Sequence, residues 1–453
     1  MPSKLVLVVI DGLTPGVLER AVESGETPAL RYLSEQGEYR RAVSAFPSLT
    51  PVCMTSIVTG AYPDVHGIPH LVWYDRAERR VVEYGSSFGA VMTAGALRSL
   101  RDTIFEMNER HLAAGAVTVY EALEDAGLTT AAVNVTCYRG RTRHRPTVPG
   151  LARPAYGPKR FFYYNLFESN VTGAPLAIRN RSGGTVDSYA AAVGRWLVTR
   201  DGFDFLLFYL SDYDFASHAA GPDGAGTALA DSDRAIQSLM DAAGGPDSFL
   251  ERYAVLVCSD HGQTAVHEAA RLQDAFGDLR LSRRPAGARA DIAVTASNRA
   301  GMVYRLERCR ETVRELAERL DNAAAVEAVC FLEDGEAVVR REGEEVRFAS
   351  GEGGDVFGYP DARRRIWAAL HAPAGGDVLV SAAAGFEFAD LGGGHHAGGG
   401  SHGSLTSGDS IVPVLGVGIA PEAASITEIQ GLILGHFGVA TPAYATPRRL
   451  SVA

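Results

Sequence analysis

A set of nearly continuous apolar runs, rich in β-branched residues, constrains this chain more than any other feature of its sequence. The runs span Lys4–Ile10, Thr129–Val135, Phe203–Leu210 and Tyr253–Cys258. Strands that are buried on both faces have unbroken apolar runs, and they occur mainly in parallel sheets that helices cover on both sides. The sequence therefore predicts an α/β protein with a mostly parallel sheet, in which Ile411–Val417 is the last strand.

Acidic and histidine residues follow these runs, where the chain leaves the sheet. Asp11 follows the first run, Asp214 and His218 follow the third, and Asp260 and His261 follow the fourth. Open α/β sheets bind ligands in the crevice beyond the carboxyl ends of their strands. Asp214 and His218 are four residues apart, so one helical turn would point both side chains to the same side.

A late loop adds His402 to this set, after a stretch rich in glycine and histidine. Carboxylates mixed with imidazoles are typical ligands of Zn²⁺ or Mn²⁺. The six groups are enough for two ions, and two ions about 4 Å apart clamp the attacking and leaving oxygens of a phosphoryl displacement. Taken singly, each residue is better explained as a turn or core residue, so the inference depends on the whole set.

Thr50 precedes Pro51 and a run of small and apolar residues that ends at Gly60. Threonine is a good N-cap and proline is favoured at the first helical position, so the pattern predicts a helix capped by Thr50. The positive end of the helix dipole would stabilise an anion there, and a hydroxyl beside a metal or a base can become a nucleophile. Taken alone, the segment favours a structural cap; the acidic and histidine set favours a nucleophile.

Composition excludes several classes of protein. A net charge of −11 and a pI near 5.6 argue against a general nucleic-acid coat, and an apolar fraction of 46% permits a full core. The five cysteines are dispersed without paired spacing, as is typical of a reducing compartment. The N-terminal apolar run is too short for a signal peptide or a membrane span, so we expect a cytoplasmic protein without a membrane partner.

The pattern of apolar and polar residues changes between residues 298 and 373. Shorter strand, helix and hairpin patterns replace the long apolar runs, which predicts a small α+β insertion. We therefore expect residues 1–297 to form the first part of the catalytic core and residues 374–453 its final part, which carries His402. Asp377–Ala382 is expected to be a strand of the same type as the core strands.

A series of short motifs runs through most of the core in a fixed order. The motifs are VVIDG from Val8, TPAL from Thr27, FPSLTP…TGxYPxxHGI from Phe46 to Ile68, DxxxHxxGP from Asp214 to Pro222, SDHG from Ser259 and HG at His402. Each motif is weak alone, but their combination and order are specific. Together they make the chain resemble the alkaline phosphatase superfamily, in its nucleotide pyrophosphatase/phosphodiesterase branch.

The resemblance implies a three-layer α/β/α core and a metal-dependent hydrolase that acts on phosphoric ester bonds. It implies hydrolysis of a phosphodiester or pyrophosphate bond of a nucleotide-like small molecule, through a covalent phospho-threonine on Thr50. Zinc is the expected metal, with manganese as the alternative. The ligand sets that the resemblance implies are Asp11, Thr50, Asp260 and His261 for one ion, and Asp214, His218 and His402 for the other.

The loop after Ile68 departs from the family's pattern. Phosphodiesterases of the branch carry an asparagine there that hydrogen-bonds the phosphoryl oxygen, and Leu71 holds its position here. Removing such a donor costs roughly 3 kcal/mol in an enzyme built on it, so we expect another donor or a different substrate. The arginine cluster after Thr129–Val135 lies at the carboxyl end of a strand and could bind a phosphate, although a solvated basic loop explains it equally well. The loop rich in aromatics and histidine could line a substrate pocket, although packing on the core explains it at least as well. The candidate substrate-binding residues are His70, Leu71, Trp73, Arg139 and Arg141.

Alternative functions remain open on the same scaffold. A phosphonate hydrolase or a phosphomonoesterase is the main alternative, and a non-catalytic metal-binding protein is a further one. The sulfatase branch is disfavoured because the segment that begins at Cys53 lacks the Cys-x-Pro-x-Arg pattern. The expected partner is a small phosphorylated substrate, although the insertion could instead dock a protein partner.

Overall fold

An eight-stranded sheet forms the centre of the computed structural model, which describes residues 3–148, 150, 152–168, 185–282 and 290–445. The strands from Tyr253–Cys258 to Arg160–Tyr163 run parallel to one another, as the apolar runs predict. In spatial order, the strands of this central sheet are Glu38–Val43, Ile411–Val417, Tyr253–Cys258, Lys4–Ile10, Phe205–Leu210, Thr130–Val133, Arg160–Tyr163 and Phe167–Glu168.

Helices cover both faces of the central sheet because its strands are apolar on both sides. Along Lys4–Ile10, alternate side chains join two different buried clusters, one on each face. Helices Thr50–Thr59, Val119–Asp125 and Ile429–His436 belong to the first cluster. This three-layer α/β/α core confirms the predicted fold class. The helices of the second cluster are Pro15–Ser24, Pro28–Gln36, Val186–Thr199, Gly226–Ala242 and Pro246–Arg252.

A second sheet of six antiparallel strands lies in the later part of the described chain. Helix Val313–Asp321 packs on one of its faces, and helix Ala362–Leu370 packs on the other together with the first cluster. The hairpin and helix patterns predicted for this region are confirmed. In spatial order, the strands are Ile292–Ser297, Ala300–Arg305, Val378–Ala382, Val326–Glu333, Glu336–Arg341 and Glu344–Phe348.

Asp377–Ala382, predicted as a strand of the core type, is a buried strand over Val378–Ala382, but it lies in the second sheet and not in the central one. Val378–Ala382 pairs with Ala300–Arg305 and Val326–Glu333 in the second sheet. A short apolar run fits the interior of either sheet, so its pattern does not select the partner strand. The second sheet thus takes strands from both sides of the expected insertion, and the division of the chain at residues 298 and 373 stays a prediction.

Smaller elements complete the described structure. The minor strand sets are Gly385–Phe388 with Thr264–Ala270 and Gly400–Ser401, Val72–Asp75 with Arg80–Glu83, and Thr142–His144 with Ala155–Gly157. The remaining helices and turns are Pro63–His66, Phe88–Ala94, Ala96–Arg101, the π-helical Asp102–His111, Asp212–Ala220, Pro222–Gly224, Leu272–Phe276, Ser407–Ser410, Ile426–Glu428 and Ala443–Ala445.

The cysteines are free and buried in the structure. Burial raises the pKa of the Cys137 thiol to about 12, so this side chain stays protonated at neutral pH and acts as a small apolar group. Across the described ranges, no helix is both long enough and apolar enough to cross a bilayer.

Candidate active site

The carboxyl ends of three adjacent strands deliver acidic residues to one place. These strands are, in spatial order, Tyr253–Cys258, Lys4–Ile10 and Phe205–Leu210. Asp11 directly follows the middle strand, and Asp260 lies two residues beyond its neighbour on one side. Asp214 lies in the first turn of the helix that follows the strand on the other side. Because parallel strands end at the same edge, the three carboxylates converge there.

Asp11, Thr50, Asp260 and His261 form the first of two buried groups, which we name the Thr50 group. The Nε2 atom of His261 is 3.4 Å from Asp11 Oδ1 and 3.5 Å from Asp260 Oδ2. The same nitrogen is 3.1 Å from the hydroxyl oxygen of Thr50. The His261 imidazole therefore lies in contact with the predicted nucleophile and with both carboxylates.

Asp214, His218 and His402 form the second group, which we name the His402 group. The Asp214 carboxylate is 3.3 Å from His218 Nε2 and 3.9 Å from His402 Nε2. The rings of His402 and His261 stack with their centroids 3.7 Å apart, so the two groups form one continuous centre. The structure thus brings together the seven residues that the sequence assigns to a metal centre; their roles as ligands stay predictions.

Each of the three histidines directs Nδ1 to a backbone carbonyl. The acceptors are Gly400 for His218, Ser48 for His402 and Gly262 for His261, at 2.8, 2.7 and 3.1 Å. An Nδ1–H that donates in this way fixes the ring orientation and leaves the lone pair on Nε2. All three Nε2 atoms face the centre. The tautomer with the proton on Nδ1 leaves the Nε2 lone pair available for a metal ion.

The three carboxylates of the centre repel one another in a buried site. Burial, followed by the charges of Asp214 and Asp260, raises the pKa of Asp11 well above its ordinary value of 3.8. Burial also raises the pKa of Asp260, although His261 opposes the shift. Burial acts on Asp214 too, but the neighbouring histidines, His218 first, outweigh it and lower its pKa. An added cation would relieve this repulsion.

Two carboxylate oxygens of the centre, Asp11 Oδ1 and Asp260 Oδ2, are buried and accept no hydrogen bond from any described residue. Buried polar atoms are normally paired, since an unpaired one is costly. Ligand atoms of Asp11, Asp260 and His261 lie within 4.8 Å of one another, as do those of Asp214, His261 and His402. Free carboxylate oxygens beside inward Nε2 lone pairs fit Zn²⁺ or Mn²⁺.

Thr50 is the first residue of its helix and not the N-cap. Leu49 holds the cap position in an extended conformation, and Pro51 lies within the first turn. The expectation that Thr50 caps the helix is therefore wrong by one residue, because proline is tolerated in the first turn and does not mark a single position. The hydroxyl faces His261, at the end of the helix where the dipole favours an anion.

Tyr209 and Gln263 also contact the centre, although the sequence patterns did not single them out. The Tyr209 hydroxyl donates to the second oxygen of Asp11, and the Gln263 amide donates to Asp214. Gln263 is oriented in turn by the Ser217 hydroxyl, which donates to its carbonyl oxygen at 2.6 Å. Their positions in the sequence indicate only weakly that they belong to the site. Tyr209 lies near the end of a buried strand, and Gln263 directly follows SDHG.

Arg139 and Arg141, proposed from sequence as phosphate-binding residues, have other partners. Arg139 contacts Glu121 at 3.2 Å and donates to three backbone carbonyls. Arg141 pairs with Glu121 at 2.9 Å and with Asp125 at 2.8 Å. Among the described residues, neither arginine shares a hydrogen bond or an ion pair with the Thr50 or His402 group. These contacts support a structural network, and the substrate role stays a prediction.

His70, Leu71 and Trp73 contribute to the core. His70 is fully buried and its Nδ1 accepts from the backbone of Val72 at 3.0 Å. Burial lowers the pKa of His70 to about 3, so the ring is neutral near pH 7. Trp73 packs edge-on against His111 with ring centroids 5.1 Å apart, and Leu71 packs against the first apolar cluster. These contacts favour the packing interpretation of the loop.

Comparisons with known proteins identify a family and a fold. The sequence matches the model of the type I phosphodiesterase / nucleotide pyrophosphatase family over residues 5–405. The fold is similar to that of phosphonoacetate hydrolase from Sinorhizobium meliloti 1021 in complex with phosphonoformate, with 19% identity, 96% of each chain covered and a TM-score of 0.63.

The fold is also similar to that of murine ectonucleotide pyrophosphatase / phosphodiesterase 5. The identity is 15%, with 97% of this chain and 96% of that chain covered and a TM-score of 0.63. An inactive threonine-to-alanine variant of the same murine protein, in complex with AMP, matches with 14% identity, the same coverage and the same TM-score. At these identities, the two structural likenesses establish the α/β fold.

Proposed function

This chain belongs to the type I phosphodiesterase / nucleotide pyrophosphatase family, and on that premise we propose that it hydrolyses a phosphodiester or pyrophosphate bond of a nucleotide-like small molecule. Membership makes it a hydrolase of phosphoric ester bonds. The observation that carries the finer proposal is the position of Thr50. Its hydroxyl lies at a helix N-terminus, 3.1 Å from His261 and beside two buried carboxylates with free oxygens.

We assign two divalent ions to the centre, with zinc preferred and manganese as the alternative. The Thr50 group would hold one ion and the His402 group the other. The free oxygens of Asp11 and Asp260 and the inward Nε2 lone pairs support this assignment. When bound, such ions neutralise the carboxylates and stabilise negative charge on the attacking, leaving and non-bridging oxygens of a phosphoryl group.

Thr50 acts as the nucleophile in this proposal. Its hydroxyl gives its proton to solvent and its oxygen forms a bond to phosphorus, while the bond from phosphorus to the leaving oxygen breaks and that oxygen takes a proton from solvent. The helix N-terminus favours the negative charge that develops on the threonine oxygen. Water then attacks the phospho-threonine, and the Thr50 oxygen leaves and regains a proton. The inactive threonine-to-alanine variant of the murine relative is consistent with this role.

The surrounding residues position these groups. Tyr209 orients Asp11, Gln263 orients Asp214, and backbone carbonyls orient the three histidines. Mutation of such supporting partners typically lowers metal affinity or activity by 10–100-fold. The chemistry therefore depends on a wider shell than the seven residues of the two groups.

Hydrolysis of a phosphonate is the second candidate function. It is favoured by the likeness to phosphonoacetate hydrolase and by Leu71, which replaces the asparagine of the phosphodiesterase pattern. A phosphomonoester substrate needs the same nucleophile and the same ions. The choice among these substrates is therefore a question of substrate contacts and not of the metal centre.

A turnover panel tests the proposal. Protein loaded with Zn²⁺, and separately with Mn²⁺, is assayed on bis-p-nitrophenyl phosphate, p-nitrophenyl thymidine monophosphate, p-nitrophenyl phosphate and phosphonoacetate. We expect a preference for the two diesters, loss of activity on chelation, and close to two equivalents of metal by elemental analysis. Preference for phosphonoacetate would favour the second candidate. Metal-loaded protein without turnover on any substrate would contradict both and favour a binding protein.

A further inference from the structure

Asn298 brings an amide from the second sheet into the metal centre. Ile292–Ser297 and Ala300–Arg305 form a hairpin in which Ser297 pairs with Ala300, so Asn298 and the following residue make the turn. The backbone of Asn298 has a φ of 56°, in the left-handed region that asparagine tolerates better than most residues. Its side-chain nitrogen is 2.9 Å from Nε2 of His402.

The turn is held on several sides, so the position of the amide is well defined. The Arg299 backbone N–H donates to the His402 carbonyl at 2.7 Å, and the Phe388 N–H donates to the Asn298 carbonyl at 2.6 Å. The Arg299 guanidinium is buried and pairs with Asp409 at 2.8 Å. The hairpin tip is therefore fastened both to the loop that carries His402 and to the core beneath it.

Hydrogen bonds also set which end of the amide faces the centre. The Ser297 hydroxyl donates to the Asn298 oxygen at 3.0 Å, which leaves the NH₂ group directed at His402. His402 Nδ1 is already engaged with the Ser48 carbonyl, so Nε2 is the acceptor. A metal ion on the His402 group would take this Nε2 lone pair and leave the buried amide N–H without its acceptor. An unpaired buried donor is unfavourable, so the group would require a new acceptor in the centre.

We propose that Asn298 donates this N–H to a non-bridging oxygen of the substrate's phosphoryl group, and so supplies the amide that the loop at Leu71 lacks. The inference rests on the proposed function of the same centre. Alternative donors are less suitable, because His70 is buried in the core and Arg139 and Arg141 are paired with carboxylates. The donor thus comes from a different part of the chain than the family's motif would indicate.

Two variants test the inference in complementary ways. Asn298→Gly removes the amide and keeps the left-handed backbone without strain. Asn298→Asp keeps the shape of the side chain, and its ionised form offers oxygens only and repels a phosphate. The matched control is Asp334→Gly, at the exposed tip of another hairpin in the same sheet, where φ is 53°. Melting temperatures confirm that each variant is folded.

Three readouts are taken on Zn²⁺-loaded protein: metal content by elemental analysis, the Kd of inorganic phosphate by calorimetry, and kcat/KM on the best ester of the panel. We expect both Asn298 variants to keep the metal content of the wild type. Phosphate binding should weaken at least about tenfold and kcat/KM should fall about 100–1,000-fold, as for removal of one oxyanion donor. The effect of Asn298→Asp should be at least as large, and Asp334→Gly should match the wild type.

Other outcomes would overturn the inference in recognisable ways. Unchanged phosphate binding and turnover in both Asn298 variants would show that the amide does not contact the phosphoryl group. Metal lost from Asn298→Gly but kept in Asn298→Asp would instead make the side-chain oxygen a metal ligand. Metal-loaded wild type that neither binds phosphate nor hydrolyses any ester would overturn the proposed function itself, and the inference with it.

Discussion

Two sets of buried carboxylates in this protein have opposite surroundings. Asp409 is fully buried and pairs with the equally buried Arg299 at 2.8 Å, while Thr264 donates to it as well. Asp11 and Asp260 are also buried, yet each has one oxygen without a hydrogen bond, and neither pairs with a lysine or arginine in the described chain. Among the described residues, the first set has an arginine as its cation, and the second has histidine but no lysine or arginine.

The difference shows which buried charges belong to structure and which to function. A buried ion needs an opposite charge, because the attraction must offset the loss of hydration. Arg299 supplies that charge to Asp409 permanently. Burial raises the pKa values of Asp11 and Asp260, and no described lysine or arginine offsets the shift, which is typical of carboxylates in a binding site. The Arg299–Asp409 pair then serves as a control for the metal centre.

The largest expected effect tests whether the metal centre performs chemistry. Thr50→Ala removes the attacking oxygen and leaves six ligand residues, so kcat should fall at least about a thousandfold, or ~4 kcal/mol in barrier. Thr50→Ser keeps a hydroxyl and should retain measurable turnover. Because Leu49 is the N-cap, neither change should shift the melting temperature by more than a few degrees. Turnover of Thr50→Ala within about tenfold of the wild type would make Thr50 structural.

The next effect compares the two carboxylate sets directly, by unfolding metal-free protein in denaturant. Asp409→Asn leaves Arg299 as an uncompensated buried charge and should destabilise the fold by ~3–5 kcal/mol. Asp260→Asn removes one of three repelling carboxylates, so it should leave stability unchanged or raise it by ~1 kcal/mol. Changes of the same sign and size in the free energy of unfolding of both variants would show that the two carboxylate sets do not differ in their effect on stability.

The pH dependence of the stability of metal-free protein should reflect the raised pKa values of Asp11 and Asp260. The pKa values of Asp11 and Asp260 are raised above 3.8 in the folded state, chiefly by burial. Raised carboxyl pKa values mean that the fold binds more protons than the unfolded chain. Their contribution is fully present below about pH 3.8 and is lost as the pH rises through the folded values, by up to ~1.4 kcal/mol per pH unit for each proton.

Melting temperatures of the wild type and of Asp260→Asn, compared from pH 4 to pH 8, check this prediction. The melting temperature of the wild type, relative to that of Asp260→Asn, should fall as the pH rises, because the variant lacks one of the two groups. With Zn²⁺ the sign should reverse, because protons compete with metal for the same ligands and acid weakens binding. A pH slope that is identical in wild type and Asp260→Asn would contradict the assignment.

The smallest expected effect concerns Arg141, an arginine that already has carboxylate partners. Arg141→Ala removes a half-exposed arginine from the buried Glu121 and the exposed Asp125. Glu121 keeps its pair with Arg139, so the free energy of unfolding should fall by no more than ~1 kcal/mol. Both kcat and KM should stay within about twofold of the wild type. A loss of tenfold or more in kcat/KM would instead support the phosphate-binding role suggested by the sequence.

Much of the central architecture could be predicted from local sequence patterns. Tyr253–Cys258 and Ile411–Val417 are strands over the predicted residues, and Asp11, Asp214 and Asp260 follow strands of one sheet. The reason is that strands buried on both faces need unbroken apolar runs, and parallel strands present their carboxyl ends at one edge. The pattern alone therefore predicts that residues just after such runs lie close together.

Features that depend on contacts between distant segments were not predictable in this way. Val378–Ala382 pairs in the second sheet. The apolar pattern of a strand does not predict which strand it will pair with. The carboxylate partners of Arg139 and Arg141 lie on the helix Val119–Asp125, and the sequence of the basic loop does not predict them. Composition alone could not distinguish a phosphate-binding cluster from an ion-pair network.

The sequence by itself determined the fold class, the convergence of acids at one sheet edge and the identity of the nucleophile candidate, because each depends on residue type and position along one strand or helix. Only the tertiary structure decided that Asn298 reaches His402 and that Asp409 pairs with an arginine, whereas Asp11 has no such partner among the residues that the structure describes. These last contacts join segments about a hundred or more residues apart. Their energies arise from burial and pairing, which exist only once the chain has folded.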